Sequence, residues 1–256
     1  MAQTLQRCYG RLLGGPGDLS RRIAVVPWGC WDPNVDEAEV AAGAQRLSSY
    51  YQLGPSTKTL MTLSRVSPEK GIHLLLEALR LLEADGFADG RDICLFVCGE
   101  PAFMQGAAYA RLVRRAAERL KRVRVFFPGY LAAAEKQMYF RLAQLFVSPS
   151  LHESYGLTVV EAMRAGLPVL ASDHYGVLDL LAESFGRRVH YPSPRQAPRL
   201  LAGALQELLA KPQRLKEMGL LARRAAEQMT FAKAARTVLE AALSLVPGRS
   251  EGVPAA

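Results

Sequence analysis

An α/β fold, a Rossmann-like parallel sheet flanked by helices with a helical C-terminus, is the architecture this sequence predicts. Three observations carry it. Short apolar runs recur along the chain, helix-period segments fall between most of them, and helical sequence dominates after Pro194. Several runs are apolar throughout rather than alternating, the pattern of strands buried on both faces of a parallel sheet. Strand alternating with helix then implies that ligand-binding loops gather at the carboxyl ends of the strands.

The elements follow in order. Strands are expected at residues 23–26 and 59–63, with a helix over 71–82 after the second. The Gly-rich polar stretch 85–91 reads as a surface loop before a strand at 93–97. A helix over 107–120 places Leu112, Val113, Ala116, Ala117 and Leu120 on one face and arginines around the other. A strand at 124–127 and another at 145–147, L-F-V, come next. Pro149 bars continuation of the latter as a central strand. Helical periodicity resumes at Leu157 through Val160, Glu161, Met163 and Arg164, until Gly166 and Pro168 stop it. Strands at 168–171 and 188–191 close the sheet, a terminal helix is expected over 231–245, and residues 248–256 read as a disordered tail.

The most informative segment is residues 148–173, S-P-S-L-H-E-S-Y-G-L-T-V-V-E-A-M-R-A-G-L-P-V-L-A-S-D. Glu153 and Glu161 stand eight residues apart across a strand-loop-helix junction. Spacing alone is weak: 16 glutamates in 256 residues give about one such pair by chance, and Glu69 with Glu77 is another. The setting decides. Between the two carboxylates, the amides of Ser154, Tyr155, Gly156, Leu157 and Thr158 belong to a helix N-terminus, whose unpaired donors and positive dipole end attract phosphate. Carboxylates on both sides of a phosphate site suit a ligand with hydroxyls on both sides of a phosphate, the layout of a nucleotide sugar.

In these residues the chain resembles the C-terminal domain of family 4 (group 1) retaining glycosyltransferases of the GT-B fold, whose E-x7-E motif matches at Glu153 and Glu161. Four further segments agree in order over residues 23–242. They are I-A-V-V-P-W-G-C-W-D (23–32), L-S-R-V-S-P-E-K-G (63–71), V-F-F-P-G-Y (125–130) and A-G-L-P-V-L-A-S-D (165–173). The resemblance implies transfer of a hexose-type sugar from a nucleoside-diphosphate sugar with retention of configuration. It implies that Arg65 and Lys70 grip the donor diphosphate, Glu153 holds the transferred sugar and Glu161 the ribose hydroxyls. The backbone near Tyr130 and Leu131 is expected beside the base. Two fixed cations could stabilise a departing diphosphate without a metal, and no D-x-D, H-E-x-x-H or zinc-spaced Cys/His cluster occurs. No cofactor and no metal are therefore expected, the nucleotide sugar being substrate.

The resemblance also implies the domain organisation. Residues 23–228 correspond to the nucleotide-sugar-binding domain, and residues 1–22 to a remnant of an N-terminal domain or its linker. Residues 229–247 correspond to a helix that crosses to that N-terminal domain, with an orphan apolar face if the domain is missing. The acceptor side would come from the missing domain or a partner chain. Departures from the family pattern are Gln144 where aspartate is usual, Asp179 where glutamate is usual, and Glu100 after Gly99 where a second glycine is common. Trp28 and Trp31 are uncommon on the opening segment and suit either a core or an interface.

Other readings stay open. A binding module could hold a nucleotide sugar, or a protein partner, without turnover. A nucleotide-sugar epimerase shares the architecture, whereas a dinucleotide oxidoreductase lacks its G-x-G-x-x-G after any expected strand. The net charge of +8 concentrates in R-L-V-R-R-A-A-E-R-L-K-R-V-R, residues 111–124. A solvated helix face is the plain reading, and peripheral association with an anionic membrane surface is the alternative. Nucleic acid is disfavoured because no aromatic residue interrupts the arginines. No apolar run approaches the roughly 18 residues of a membrane span, and a cytoplasmic location is the default. Cys8, Cys30, Cys94 and Cys98 show no pairing pattern and fit free thiols in a reducing compartment. His152 and His174 fall near the expected crevice, where either could contact the donor, and the case for His73 and His190 is weaker.

Overall fold

Apolar runs too short to be helices pair side by side here, and the computed structural model shows them as one six-stranded parallel sheet. It describes residues 26, 29–30, 34–103, 105–178 and 180–244. Of the strand expected at 23–26 only Val26 is described, and it has no regular structure. Residues 1–22, Trp28, Trp31, Asp179 and the tail 248–256 lie outside the described residues.

The elements run α1 (Glu37–Tyr50), β1 (Lys58–Leu63), a 3₁₀ turn (Pro68–Lys70), α2 (Ile72–Ala84), β2 (Ile93–Cys98), α3 (Gly106–Ala117), β3 (Val123–Gly129) and α4 (Ala133–Leu142). They continue with β4 (Leu145–Ser148), α5 (Leu157–Arg164), β5 (Val169–Ser172), α6 (Tyr175–Leu178), β6 (Gly186–Val189), α7 (Ala197–Leu209), α8 (Pro212–Glu227) and α9 (Phe231–Leu243). Across the sheet the strands lie in the order β3-β2-β1-β4-β5-β6. This is a doubly wound Rossmann-like sheet, and its order reverses between β1 and β4. Strands β1 and β2 share six register pairs, whereas β1 and β4 share two, Leu60 with Leu145 and Met61 with Phe146.

Burial explains the arrangement. On one face Leu60, Leu95, Val97, Leu145 and Val147 pack with Leu75, Leu79 and Leu82 of α2, Val113 of α3 and Leu201, Leu205 and Leu208 of α7. Each such side chain contributes about 1.5–3 kcal/mol on leaving water. Helices α1 and α4 meet through Val40, Ala44 and Met138. Beside them Tyr51, Phe96, Phe126 and Tyr139 form an aromatic group, and the Tyr51 and Tyr139 hydroxyls lie 2.7 Å apart. Helix α1 opens on Asp36, whose carboxylate accepts from the amides of Ala38 and Glu39 at 2.8 and 3.4 Å.

Three expectations need correction. The helix expected over 107–120 ends at Ala117, because the Glu83 carboxylate accepts the amides of Lys121, Arg122 and Val123 and turns the chain into β3. Within that helix Leu112 is 45% exposed rather than part of the packed face. Arg124 is not on a solvated helix face either: from β3 it forks onto Asp92 at 2.8 and 2.9 Å and donates to the Tyr51 carbonyl. The last strand begins at Gly186, two residues before the expected start.

The chain divides into two units, Asp32–Glu227, which holds the sheet, and Met1–Trp31 together with Gln228–Ala256. In the second, the Cys30 amide donates to the Met229 carbonyl at 3.1 Å and Cys30 pairs with Thr230 in an isolated parallel bridge. Helix α9 is capped by Thr230, whose hydroxyl accepts from the Lys233 amide. None of its residues is buried, and Val238 and Leu239 are exposed.

Candidate active site at the reversal of strand order

Where strand order reverses, the loops after the two neighbouring strands diverge and leave a crevice. Here those loops follow β1 and β4, and they are bound backbone to backbone. The Glu69 carbonyl accepts the amides of Leu151 and His152 at 2.7 and 3.3 Å. Gly71 has φ +64°, and a Cβ there would run into the Pro149 carbonyl. Only glycine meets both conditions without strain.

This close approach brings together residues far apart in the chain. Lys70 Nζ lies 2.7 Å from Glu153 Oε2, with both side chains mostly buried. The second Glu153 oxygen accepts the Ser154 amide at 3.1 Å. The Ser154 amide, expected among the phosphate donors, is engaged by the neighbouring carboxylate in this structure. Helix α5 starts at Leu157 behind Gly156, whose φ of +90° forms the cap. The amides of Gly156, Leu157 and Thr158 have no acceptor among the described residues. They are the open donors of the N-terminus, and Tyr155 belongs to the bend before it.

Glu161 lies in the second turn of α5, and Lys136 of α4 reaches it with Nζ 2.7 Å from Oε1. Lys136 is the residue that sequence reasoning missed. It belongs to none of the matching segments, and only the juxtaposition of α4 with α5 reveals it. The site thus contains two lysine–glutamate pairs with helix amides between the glutamates in sequence. Such a set can neutralise a diphosphate and accept hydrogen bonds from hydroxyls.

The remaining expected residues are placed less centrally. The Arg65 side chain is exposed, 3.8 Å from Glu69, and the Ser67 hydroxyl, donating to Glu69 at 2.6 Å, holds that carboxyl below its ordinary range. Tyr130 is exposed and Leu131 buried at the end of β3, where the Gly129 carbonyl accepts the Gly99 amide at 2.7 Å. Glu100 is exposed, and its carbonyl accepts the Val66 amide. Gln144 serves the opposite, amino-terminal end of the central strands, donating to the Thr57 carbonyl. His174 contacts the Ser150 carbonyl through Nε2. Burial pulls its pKa down against the pull of that carbonyl and Asp173. His73 is held by the Tyr109 hydroxyl and also lowered by burial, and His190 pairs with Asp173 at 2.8 Å. Among the described residues no group of three or more His, Cys, Asp or Glu is arranged to hold a metal ion, and no helix is long and apolar enough to cross a membrane.

Known proteins resemble this chain in sequence and in fold. The family described as glycosyl transferases group 1 matches residues 50–225. The alpha-monoglucosyldiacylglycerol synthase of Streptococcus pneumoniae is 28% identical over 187 residues, 72% of this chain and 39% of that protein. The D-inositol 3-phosphate glycosyltransferase of Kineococcus radiotolerans is 30% identical over 231 residues, 86% of this chain and 51% of that one. Among solved structures, Anabaena HepE in complex with UDP superposes with a TM-score of 0.72 at 20% identity, over 95% of this chain and 62% of HepE. The chain therefore spans about half or less of the two curated relatives' length. With residues 50–225, more than half of the chain, matched to one family, the chain belongs to the glycosyl transferases group 1 family.

Proposed function

We propose that this chain is the donor-binding half of a retaining, metal-independent hexosyltransferase. The observation that carries the reading is the pairing of Lys70 with Glu153 and of Lys136 with Glu161 around the open α5 amides. In it, Lys70 moves from Glu153 to the donor diphosphate, joined by Arg65 and the amides of Gly156, Leu157 and Thr158. Glu153, released from the lysine, orients the transferred sugar, and Glu161 accepts from the ribose. The backbone of Tyr130 and Leu131 borders the base. The two cations supply the charge neutralisation that a metal would otherwise give a leaving diphosphate. The UDP held by HepE and the transferase names of the relatives support this donor class. The acceptor side belongs to a further domain or partner chain, in keeping with the share of the relatives that this chain spans.

Thermal unfolding against UDP, GDP, ADP and their common sugar conjugates tests the reading. One nucleotide class should raise the midpoint, by the equivalent of about 2.7 kcal/mol at a hundred times Kd, and Glu161→Ala should remove most of the shift. No shift with any nucleotide, or an equal shift in the variant, counts against it. The partial span also favours a second reading, a nucleotide-sugar-binding module without turnover. Robust glycosyl transfer by the purified chain would eliminate that one.

Membrane association is part of the same proposal. Arg111, Arg115 and Arg119 follow one another at helical spacing and are exposed, and Leu112 and the 98% exposed Phe103 are near them in sequence. Cations with apolar side chains suit an anionic bilayer surface. Sedimentation with vesicles containing anionic lipid, and none with purely zwitterionic vesicles, is the expected result. A cytoplasmic location fits the buried Cys94 and Cys98, which form no disulfide among the described residues.

A further inference from the structure

Lys136 has a place in the site that no matching motif assigns. Its helix is anchored by the buried Met138, Tyr139 and Phe140. The opening turn of that helix is fixed by the Ala132 carbonyl, which accepts the Lys136 amide at 2.8 Å, and by the Glu135 carboxylate, which accepts the Ala132 amide at 3.2 Å. Glu161 is held as firmly, between buried Val160 and Ala162 of α5. Two rigid helices thus present one ammonium to one carboxylate oxygen at 2.7 Å, both side chains partly shielded from water. The other oxygen, Oε2, has no partner among the described residues.

We propose that Lys136 is a positioning residue: by holding Oε1, it fixes the plane of the Glu161 carboxylate so that the site selects ribonucleotides over 2′-deoxyribonucleotides. The inference rests on the donor-binding reading above and deepens it. A glutamate alone rotates about its terminal bond and can meet a single hydroxyl in many orientations, so losing one of two vicinal hydroxyls costs it little. A carboxylate pinned at one oxygen presents its remaining lone pairs in one direction, and a neighbouring pair of hydroxyls can then be read as a pair. Charge-assisted hydrogen bonds depend on that alignment. The ammonium also keeps the carboxylate from turning to another cation.

The test compares UDP with dUDP, GDP with dGDP and ADP with dADP, by calorimetry on the whole chain and on Lys136→Met, Lys136→Arg, Glu161→Ala and the Lys136→Met/Glu161→Ala double variant. For whichever base binds, the wild type should prefer the ribonucleotide. Lys136→Met should lose about tenfold or more in ribonucleotide affinity while deoxyribonucleotide affinity changes much less. Lys136→Arg should restore the preference, and the double variant should be no weaker than Glu161→Ala alone. Equal losses for both sugars would make Lys136 a direct contact to phosphate or base and overturn the proposal, as would a preference unchanged in Lys136→Met. If the wild type binds no nucleotide, the donor-binding reading falls and this inference with it. Wild-type binding with no sugar-dependent effect of Lys136 sinks the inference alone.

Discussion

Gly71 is the residue on which the geometry of the crevice turns. Its positive φ and the Pro149 carbonyl against it leave no room for a side chain. Gly71→Ala should destabilise by about 1–3 kcal/mol and, by pushing the two loops apart, weaken nucleotide binding further. Urea unfolding and the nucleotide thermal shift measure the two effects, and a variant with wild-type stability would refute the argument. Histidine burial gives a second prediction. His73 and His174 both have folded pKa values below the ordinary 6.5, so their neutral forms favour the fold. Their contribution is complete above that value and is lost as pH falls below it through the lower folded values. The unfolding midpoint should decline between about pH 7 and 5, less steeply in His73→Gln, and a profile flat over that range would contradict it. Glu153, Glu161 and Lys70 were legible because each lies in a contiguous motif. Lys136 and the capture of the Ser154 amide were not, since each depends on which partner a side chain chooses after folding.

Elements were legible in kind and less so in extent. Continuous apolar runs announced β2, β4 and β5, and the mostly apolar T-L-M-T-L announced β1, because those strands are buried on both faces. The end of α3 was hidden because a glutamate 38 to 40 residues earlier in the chain sets it. Glu83 has its pKa raised by burial, yet the three amides it accepts outweigh that and leave it below the usual carboxylate range. Glu83→Gln should therefore cost about 1–3 kcal/mol and speed hydrogen exchange at Lys121 to Val123, with little effect on nucleotide affinity. Helix α2 offers a control of another kind. Leu75 is fully buried between the sheet and its neighbours, and Leu75→Ala should lose about 2–5 kcal/mol in urea unfolding.

At the scale of the whole molecule, alternation of strand and helix predicted a parallel sheet, but strand order is a fact of long-range pairing that periodicity cannot encode. The family resemblance implied a Rossmann-like sheet, and the observed order bears it out. The order has a consequence through its centre. Three strands lie to one side of the β1–β4 boundary and three to the other, and two register pairs with the Gln144 amide on the Thr59 carbonyl join them in the ladder. Boundaries with few pairings open first when proteins breathe. Lys70 and Glu153 face each other across this boundary, 83 residues apart in sequence, so a diphosphate gripped from both sides would act as a rivet between half-sheets. Saturating nucleotide should slow exchange of the β4 amides more than those of β2, and proteases should find the loaded domain harder to cut than the empty one. Donor supply would then govern how long the domain survives as well as how fast it works.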